Sequence, residues 1–300
     1  MGFGRRLWHR DACMRVPLLL AMAFGLSCAP RHAPHSPPPV AAPPVVPAKT
    51  PAPAPRALAV KAPRALAVKE VTPIALASPC PPEMALVRGR VCVDRWEASL
   101  VRVQADGTAV AWTPHEHPSR GMVVRAVAAK DGVPQAYIDG DLAAAACARS
   151  GKRLCTSDEW LTTCRGPADT TYPYGPSRKE GACNGDGRKG HPVSEATRRY
   201  GLDPDRLWHE NMQFPKINQM PDTVERSGHH SSCTNAYGAF DMVGNLHEWI
   251  DDPDGTFRGG YYMDTRINGE GCTYATKAHG TDYRDYSTGF RCCRDPEAID

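Results

Sequence analysis

The chain has 300 residues, of which 41% are hydrophobic and 23% are charged, and this composition supports one or two folded domains with a core of ordinary size. The net charge of +3 hides a division, because residues 1–79 carry 10 Lys or Arg against 2 Asp or Glu, while residues 80–300 carry 26 against 31. The acidic body argues against nucleic-acid binding. Ten of the 12 cysteines follow residue 79, which indicates disulfides in an oxidising compartment or metal sites.

The amino terminus predicts export. Four arginines precede an apolar run, residues 16–26, that is too short to cross a bilayer and is typical of a signal peptide. The run ends in the sequence GLSC, which resembles a bacterial lipobox, so Cys28 is the expected lipidation site, with ordinary secretion as the alternative. Translation starts at Met1 or at Met14. We therefore predict a signal peptide over residues 1–28, a lipid anchor in the membrane and a place in the cell envelope, at the outer membrane or facing the periplasm.

Residues 29–79 have the composition of a disordered tether. The stretch from Pro30 to Pro79 holds 14 of the chain's 29 prolines, has no aromatic residue and repeats the sequence APRALAVK at residues 54–61 and 62–69. Proline fixes φ, and the segment has too little apolar surface to offset the entropy of ordering. We predict an extended spacer that holds the following domain away from a surface.

The folded body begins at Cys80 and continues to residue 300. Its predicted elements are, in chain order, a hairpin of strands 84–87 and 91–94, a helix over residues 139–150, and a second helix that begins at Thr156 with a T-S-D-E capping box and ends at Gly166. The remaining residues are rich in Gly, Asp, Asn and Tyr with few periodic runs. This pattern predicts a loop-rich α+β domain that needs cross-links to hold so much irregular chain.

Four segments of this body resemble the formylglycine-generating-enzyme, or sulfatase-modifying-factor, family. They are GKRLCTSDEW at residues 151–160, NAYGAFDMVGNLHEW at residues 235–249, RGG at residues 258–260 and GFRC at residues 289–292. They occur in the family's order and cover the chain from about Cys80 to Asp295. The resemblance implies a C-type-lectin-like α+β fold with little regular secondary structure.

The resemblance also implies two disulfides, Cys147–Cys292 and Cys164–Cys272, because the family pairs the cysteines at these motif positions. The other six cysteines of the body are expected to form Cys80–Cys92, which flanks the hairpin, Cys183–Cys233 and Cys155–Cys293. Ten cysteines admit many pairings, so the sequence leaves these last three open. Zinc is disfavoured because no C-x-x-C pair occurs and export opposes free thiolates.

Copper chemistry is not expected. The family oxidises a substrate cysteine with copper held by two thiolates that follow the RGG motif, and Cu(I) needs such soft ligands. In this chain the region of Tyr261, Met263 and Asp264 has no cysteine. Cys272 comes next, but the resemblance assigns it to Cys164. A thioether and a carboxylate are poor substitutes for a thiolate pair, so no catalytic residue is assigned.

The metal that the resemblance does imply is calcium with a structural role. The family binds it through oxygen atoms of its DMxGNxxE segment. The matching groups are the carboxylates of Asp241 and Glu248 and the carbonyls of Gly244 and Leu246, and a clustered oxygen shell suits this hard cation. The alternative is that the two carboxylates only cap turns. Asn184 is a candidate for a second calcium site.

Two other groups of residues are interpreted without a catalytic role. His115 and His117 flank Glu116 in a segment that is bounded by prolines. They are expected in a surface loop, since a metal site needs a third ligand. The other loop histidines are interpreted as exposed to solvent, and His247 is interpreted as packed against other side chains. Three tryptophans are expected in the core: Trp96, Trp160 and Trp249. Five tyrosines have two possible roles: Tyr261, Tyr262, Tyr274, Tyr283 and Tyr286. They either make packing contacts or form a peptide- or sugar-binding cleft together with Asp264, Arg266 and Glu270.

The sequence thus predicts an exported, lipid-anchored bacterial protein that acts as a binding or scaffolding module, with an unidentified protein or peptide as ligand. The alternative is an enzyme: an oxidoreductase of the same superfamily with a non-copper site such as iron, or a protein-maturation factor. The iron-dependent branch draws its histidines from an added helical domain, which has no counterpart in this sequence.

Overall fold

A computed structural model describes residues 78–185 and 187–298. The predicted signal peptide, the lipidation site Cys28 and nearly all of the predicted tether lie outside the described residues. No helix among the described residues is both long and apolar enough to cross a membrane.

In the part of the chain that the structure describes, eleven strands form three small sheets. The strands are β1 (Met84–Val87), β2 (Val91–Asp94), β3 (Ala98–Val103), β4 (Ala109–Ala111), β5 (Val124–Ala128), β6 (Arg153–Leu154), β7 (His247–Trp249), β8 (Phe257–Arg258), β9 (Ala275–Thr276), β10 (Thr288–Phe290) and β11 (Cys292–Arg294). The strand orders are β1-β2-β11-β6, β10-β7-β8-β9 and β4-β3-β5. Strands from both ends of the domain share the first sheet, so the termini of the domain are held together.

The first sheet contains the predicted hairpin. Strands β1 and β2 pair antiparallel from Met84 opposite Asp94 to Val87 opposite Val91, around Arg88 and Gly89, which both have positive φ. Strand β11 lies between β2 and β6. The GFRC segment is thereby placed beside both the hairpin and the GKR segment.

Three α-helices pack around the sheets in the described residues. Helix α1 (Gly140–Ala148) is shorter than predicted, because Asp139 is its N-cap and accepts a hydrogen bond from the Leu142 amide at 2.7 Å. Helix α2 (Ser157–Arg165) has the predicted capping box between Thr156 and Glu159 and ends at Gly166. Helix α3 (Pro192–Tyr200) was not predicted, although Pro192 at its start and Gly201 in the left-handed region at its end are ordinary boundary residues.

Five disulfides hold these elements together. They are Cys80–Cys92, Cys147–Cys292, Cys155–Cys293, Cys164–Cys272 and Cys183–Cys233, and they coincide with the five pairs expected from the sequence. The adjacent Cys292 and Cys293 join strand β11 to two different segments, the end of helix α1 through Cys147 and the residue before the N-cap of helix α2 through Cys155. Every cysteine among the described residues is therefore paired, and long irregular segments are tied directly to the core.

The core tryptophans differ from one another in burial. Trp160 and Trp249 are buried at 0% and 1% exposure. Trp96 is only half-buried, with its ring stacked on Phe240 at 6.4 Å, because it lies in the turn after β2 at the edge of the core. The expectation that all three are core residues is corrected for Trp96. The architecture is a mixed α+β domain, rich in loops and stapled by disulfides.

Candidate functional site

The segment in which the copper cysteines were sought forms a tight turn after strand β8. Tyr261 and Asp264 exchange two backbone hydrogen bonds, of 2.9 and 3.0 Å. Gly260 precedes the turn with φ of +72°, and a Cβ at this position would overlap the Asp264 carbonyl. The RGG motif thus serves close backbone approach here, since only glycine combines this φ with no side chain.

The Asp264 carboxylate accepts hydrogen bonds from three donors within and beside this turn. Its Oδ1 accepts hydrogen bonds from the amides of Arg266 and Ile267 at 3.0 and 3.1 Å, and its Oδ2 accepts one from the Tyr274 hydroxyl at 3.0 Å. The carboxylate and burial together raise the pKa of Tyr274 above its ordinary value, which keeps this hydroxyl a donor. Asp264 therefore closes the loop that contains it.

Glu270 of the predicted cleft and the neighbouring Met263 are also engaged in internal contacts, whereas Arg266 is exposed. The Tyr172 hydroxyl donates to the Glu270 carboxylate at 2.8 Å, and Met263 packs against a core cluster that includes Tyr262 and Tyr286. Cys272, which follows the turn, is bonded to Cys164. No thiol among the described residues is free near Asp264, so a thiolate pair is absent from this part of the structure.

A continuous set of aromatic rings, named here the aromatic cluster, surrounds the turn. Its members are His191, Trp208, His247, Phe257, Tyr261, Tyr262, Tyr274, His279, Tyr283 and Tyr286, each in ring contact with at least one other member. Tyr262, Tyr274 and Tyr286 are buried, while Tyr261 and Tyr283 are half-buried. The five tyrosines thus belong mainly to packing contacts, and the ends of the cluster reach the surface.

His247 lies inside the aromatic cluster and is neutral. Its ring is 4.6 Å from the Phe257 ring and 4.8 Å from the Tyr261 ring. Burial lowers its pKa to about 3, and its Nδ1 has no hydrogen-bond partner in the described residues. The interpretation of His247 as a packed residue agrees with these contacts.

Asp285 is a buried acid beneath the cluster that the sequence analysis did not identify. Its carboxylate accepts hydrogen bonds from the Tyr283 hydroxyl at 2.6 Å and from the Ser287 amide and hydroxyl, both at 2.7 Å. Burial raises its pKa despite these donors. The sequence segment YRDYST contains the donors at a spacing of two residues, which is the one pattern that could have indicated this turn.

The segment that the resemblance assigns to calcium is a loop with three left-handed residues. Asp241, Gly244 and Asn245 have φ of 56°, 84° and 57°, a conformation that Asp, Asn and Gly tolerate best. Asp241 is 4% exposed, and its Oδ2 accepts a hydrogen bond from the Gly228 amide at 2.5 Å. Leu246 is fully buried in the same loop. The loop therefore buries both a carboxylate and apolar side chains.

Glu248 does not fit the role of calcium ligand. Its Oε1 accepts from Arg291 Nη2 at 2.5 Å, and its Oε2 accepts from Arg291 Nε at 2.6 Å and from Trp160 Nε1 at 2.7 Å. Both oxygens are thus committed to N–H donors. Among residues 78–185 and 187–298, no three His, Cys, Asp or Glu side chains are arranged to hold a metal ion. Calcium remains a prediction of the resemblance and is not carried into the proposed function.

A third carboxyl group, Glu97, joins this region and was missed from the sequence. It accepts hydrogen bonds from Asn245 Nδ2 at 2.6 Å and from the Leu246 amide at 3.2 Å. Burial, with the nearby charges of Asp241 and Glu248, raises the pKa of Glu97 well above its usual range. Three buried acids, Glu97, Asp241 and Glu248, therefore interact electrostatically with one guanidinium, that of Arg291.

The remaining candidate residues are held by ordinary contacts. His117 Nε2 lies 2.6 Å from the Asp139 carboxylate, so it supports the start of helix α1, and His115 is half-buried. Asn184 donates to the Thr223 carbonyl and to Asn245 Oδ1, both at 2.9 Å. These contacts link loops and do not form a metal centre in the described residues.

The sulfatase-modifying factor enzyme 1-like domain, the FGE-sulfatase family, matches residues 91–296. The match covers the three sheets from strand β2 onward, all three helices and the four motif segments. The chain belongs to this family, and its α+β, C-type-lectin-like fold is that of the family.

Solved structures of similar fold share little sequence with the chain. The Major Tropism Determinant I1 Variant is 14% identical with a TM-score of 0.43, and the alignment covers 73% of this chain and 54% of that one. The Treponema denticola variable protein 1 is 13% identical with a TM-score of 0.26 over 66% of this chain and 62% of that one. The chain thus spans between half and two thirds of the length of these proteins. No curated protein matches the chain.

Proposed function

We propose that this protein is an envelope-anchored binding or scaffolding module that lacks copper-dependent formylglycine-generating activity. One observation supports this most directly: Asp264 lies near where the family resemblance leads us to expect the first copper ligand, and its carboxylate accepts hydrogen bonds from two amides and the Tyr274 hydroxyl. Opening this site to a metal would break three hydrogen bonds in a turn.

The cysteine pairing supports the same conclusion. Copper-dependent oxidation of a thiol needs two soft ligands close together, whereas all ten cysteines of the described residues are in disulfides. The domain retains the stapled scaffold of its family without the redox pair. Loops that are fixed on such a scaffold are well suited to present a recognition surface.

Export and anchoring complete the proposal. The signal peptide of residues 1–28 directs secretion, Cys28 carries the lipid, and residues 29–79 hold the domain away from the membrane in the cell envelope. Five disulfides are in keeping with an oxidising compartment. The ligand is a protein, peptide or glycan of the envelope, bound at the surface of the domain.

The experiment expresses the full chain with its own export sequence and compares it with Cys28→Ala. We expect the wild type to partition with membranes and the Cys28→Ala variant to be released from them. The purified protein, loaded with Cu(I), is then given a cysteine-containing sulfatase peptide, and oxygen uptake at the background rate is expected. Metal-dependent oxygen uptake, with copper or with iron, would instead favour the alternative of an oxidoreductase.

A further inference from the structure

A groove of about 520 Å³ lies at the surface end of the aromatic cluster. One wall is the segment around Trp208 and Gln213, and the other is the segment from Ala278 to Arg284. The Gln213 side chain joins the walls by donating to the Arg284 carbonyl at 2.5 Å. Two stretches that are far apart in sequence thus meet as one preformed concave site.

Trp208 forms an open aromatic platform in this groove. Its side chain is 54% exposed, although a large aromatic residue is usually more buried. The ring is held in place by an edge contact with His191 at 4.8 Å, and His191 Nε2 is 3.3 Å from the Tyr286 hydroxyl. The indole is therefore held by His191 on the protein side and is open to solvent on the side of the groove.

Arg284 supplies a half-buried guanidinium to the same groove. Its Nε is buried and has no acceptor in the described residues, and the guanidinium lies close enough to Asp139 to contribute, after His117, to lowering the pKa of that carboxyl. A buried donor without an acceptor costs free energy, and a carboxylate is the acceptor that a guanidinium binds best. The guanidinium of Arg284 is therefore the charged donor that this groove can offer to an anionic oxygen.

The remaining lining groups are aromatic or polar. The His279 ring stacks on the Tyr283 ring at 3.7 Å, and the Tyr283 hydroxyl is fixed by Asp285. Asp282 is exposed at the rim. Only Met212 and Ala278 are aliphatic among the lining residues, so the groove offers no deep apolar pocket for the side chains of a peptide.

We propose that this groove binds an acidic glycan, with the apolar face of a pyranose ring on Trp208 and a carboxylate at the Arg284 guanidinium. A sugar acid combines a flat apolar face, hydroxyls for groups such as Asp282 and Gln213, and one anionic group, which matches this set of side chains. The assignment rests on the proposed function as a binding module and names its ligand class. No metal ion takes part in this recognition.

The test is calorimetric titration of the full exported chain in the presence of EDTA. Tetragalacturonate is the acidic probe and maltotetraose is the neutral one. We expect tetragalacturonate to bind about tenfold more tightly than maltotetraose, as a charge-assisted hydrogen bond implies. Trp208→Ala should weaken binding of both by about tenfold, while Arg284→Gln should remove the preference for the acid.

The matched control is Val123→Ala, which alters another exposed apolar side chain, 46% exposed and directly before strand β5, and should bind as the wild type does. Three results would overturn the glycan assignment. They are unchanged binding in Trp208→Ala, equal affinity of the wild type for the two probes, and no binding of either probe. An envelope peptide that binds through Trp208 in place of the glycan would also overturn it. None of these results would restore a thiolate pair or change membrane partition, so the proposed function is tested separately, by the Cys28→Ala comparison and by the copper and oxygen measurements.

Discussion

Arg291 and Glu248 form an ion pair in the centre of the domain, with the guanidinium 0% and the carboxylate 1% exposed. Two hydrogen bonds of 2.5 and 2.6 Å join them, and Arg291 also donates to the carbonyls of Asp94 and Phe240 at 3.0 and 2.8 Å. The GFRC segment therefore fixes strand β2, the loop at Phe240 and strand β7 through one side chain.

We expect Arg291→Met to lower the free energy of unfolding by about 3–5 kcal/mol, because it leaves the Glu248 charge buried without a partner. The double variant with Glu248→Gln should be more stable than the single variant. Urea unfolding measures both. Arg206→Gln is the control, since it removes only exposed pairs, with Asp203 and Glu210, and should cost about 1 kcal/mol or less. A single variant as stable as the control would contradict the role of this pair.

Gly244 is expected to be intolerant of a side chain. It has φ of +84°, and a Cβ there would overlap the Asn184 carbonyl, whereas Gly121 has the same φ with nothing within 4 Å. Both alanine variants carry the cost of left-handed backbone, about 1–2 kcal/mol. Only Gly244→Ala must also displace backbone, so its thermal midpoint should fall clearly below that of Gly121→Ala. Equal midpoints would show that the contact with Asn184 is unimportant.

Asp241 predicts a specific pH dependence of stability. Burial raises its pKa from 3.8 to about 6 in the folded state, so the folded protein binds the proton more tightly than the unfolded chain does. Its contribution is therefore fully present below the unfolded pKa and is lost as the pH rises through about 6. The difference in unfolding free energy between the wild type and Asp241→Asn should fall across this window. A rise over the same window would contradict the assignment.

The same pair of proteins tests the calcium prediction. Because both Glu248 oxygens are occupied by donors, we expect calcium and EDTA to give the same thermal midpoint for the wild type. A tightly bound ion would behave differently: at a hundredfold excess over its dissociation constant it would add about 2.7 kcal/mol. Calcium-dependent stabilisation that is lost in Asp241→Asn would reinstate the site that the family resemblance implies.

Much of the fold could be predicted from local sequence. The hairpin at Val87 and Val91, the capping box at Thr156 and the N-cap Asp139 each depend on residues within a few positions of one another. Helix α3 escaped prediction because its sequence, PVSEATRRY, carries few apolar residues and lies between glycine-rich loops. Its buried face, which includes Val193 and Ala196, is defined by tertiary packing.

The site was predicted only where a motif marked it. The absence of cysteine after the RGG segment is visible in the sequence. The hydrogen bond from the Tyr274 hydroxyl to the Asp264 carboxylate depends on a turn that the sequence does not specify. Glu97 hydrogen-bonds to Asn245 from 148 residues away, and Gln213 reaches the Arg284 carbonyl across 71 residues. Contacts of this range follow from the disulfide-stapled topology, which brings loops together without a local pattern.

Counting thiols in natively exported protein tests the central claim most directly. The unreduced, unfolded protein is alkylated with iodoacetamide, digested and mapped by mass spectrometry, and a reduced sample serves as the labelling control. We predict that none of the ten cysteines between Cys80 and Cys293 is alkylated before reduction and that each is recovered in one of the five disulfides. Two alkylated cysteines in the unreduced sample, together with one bound copper ion, would contradict the account.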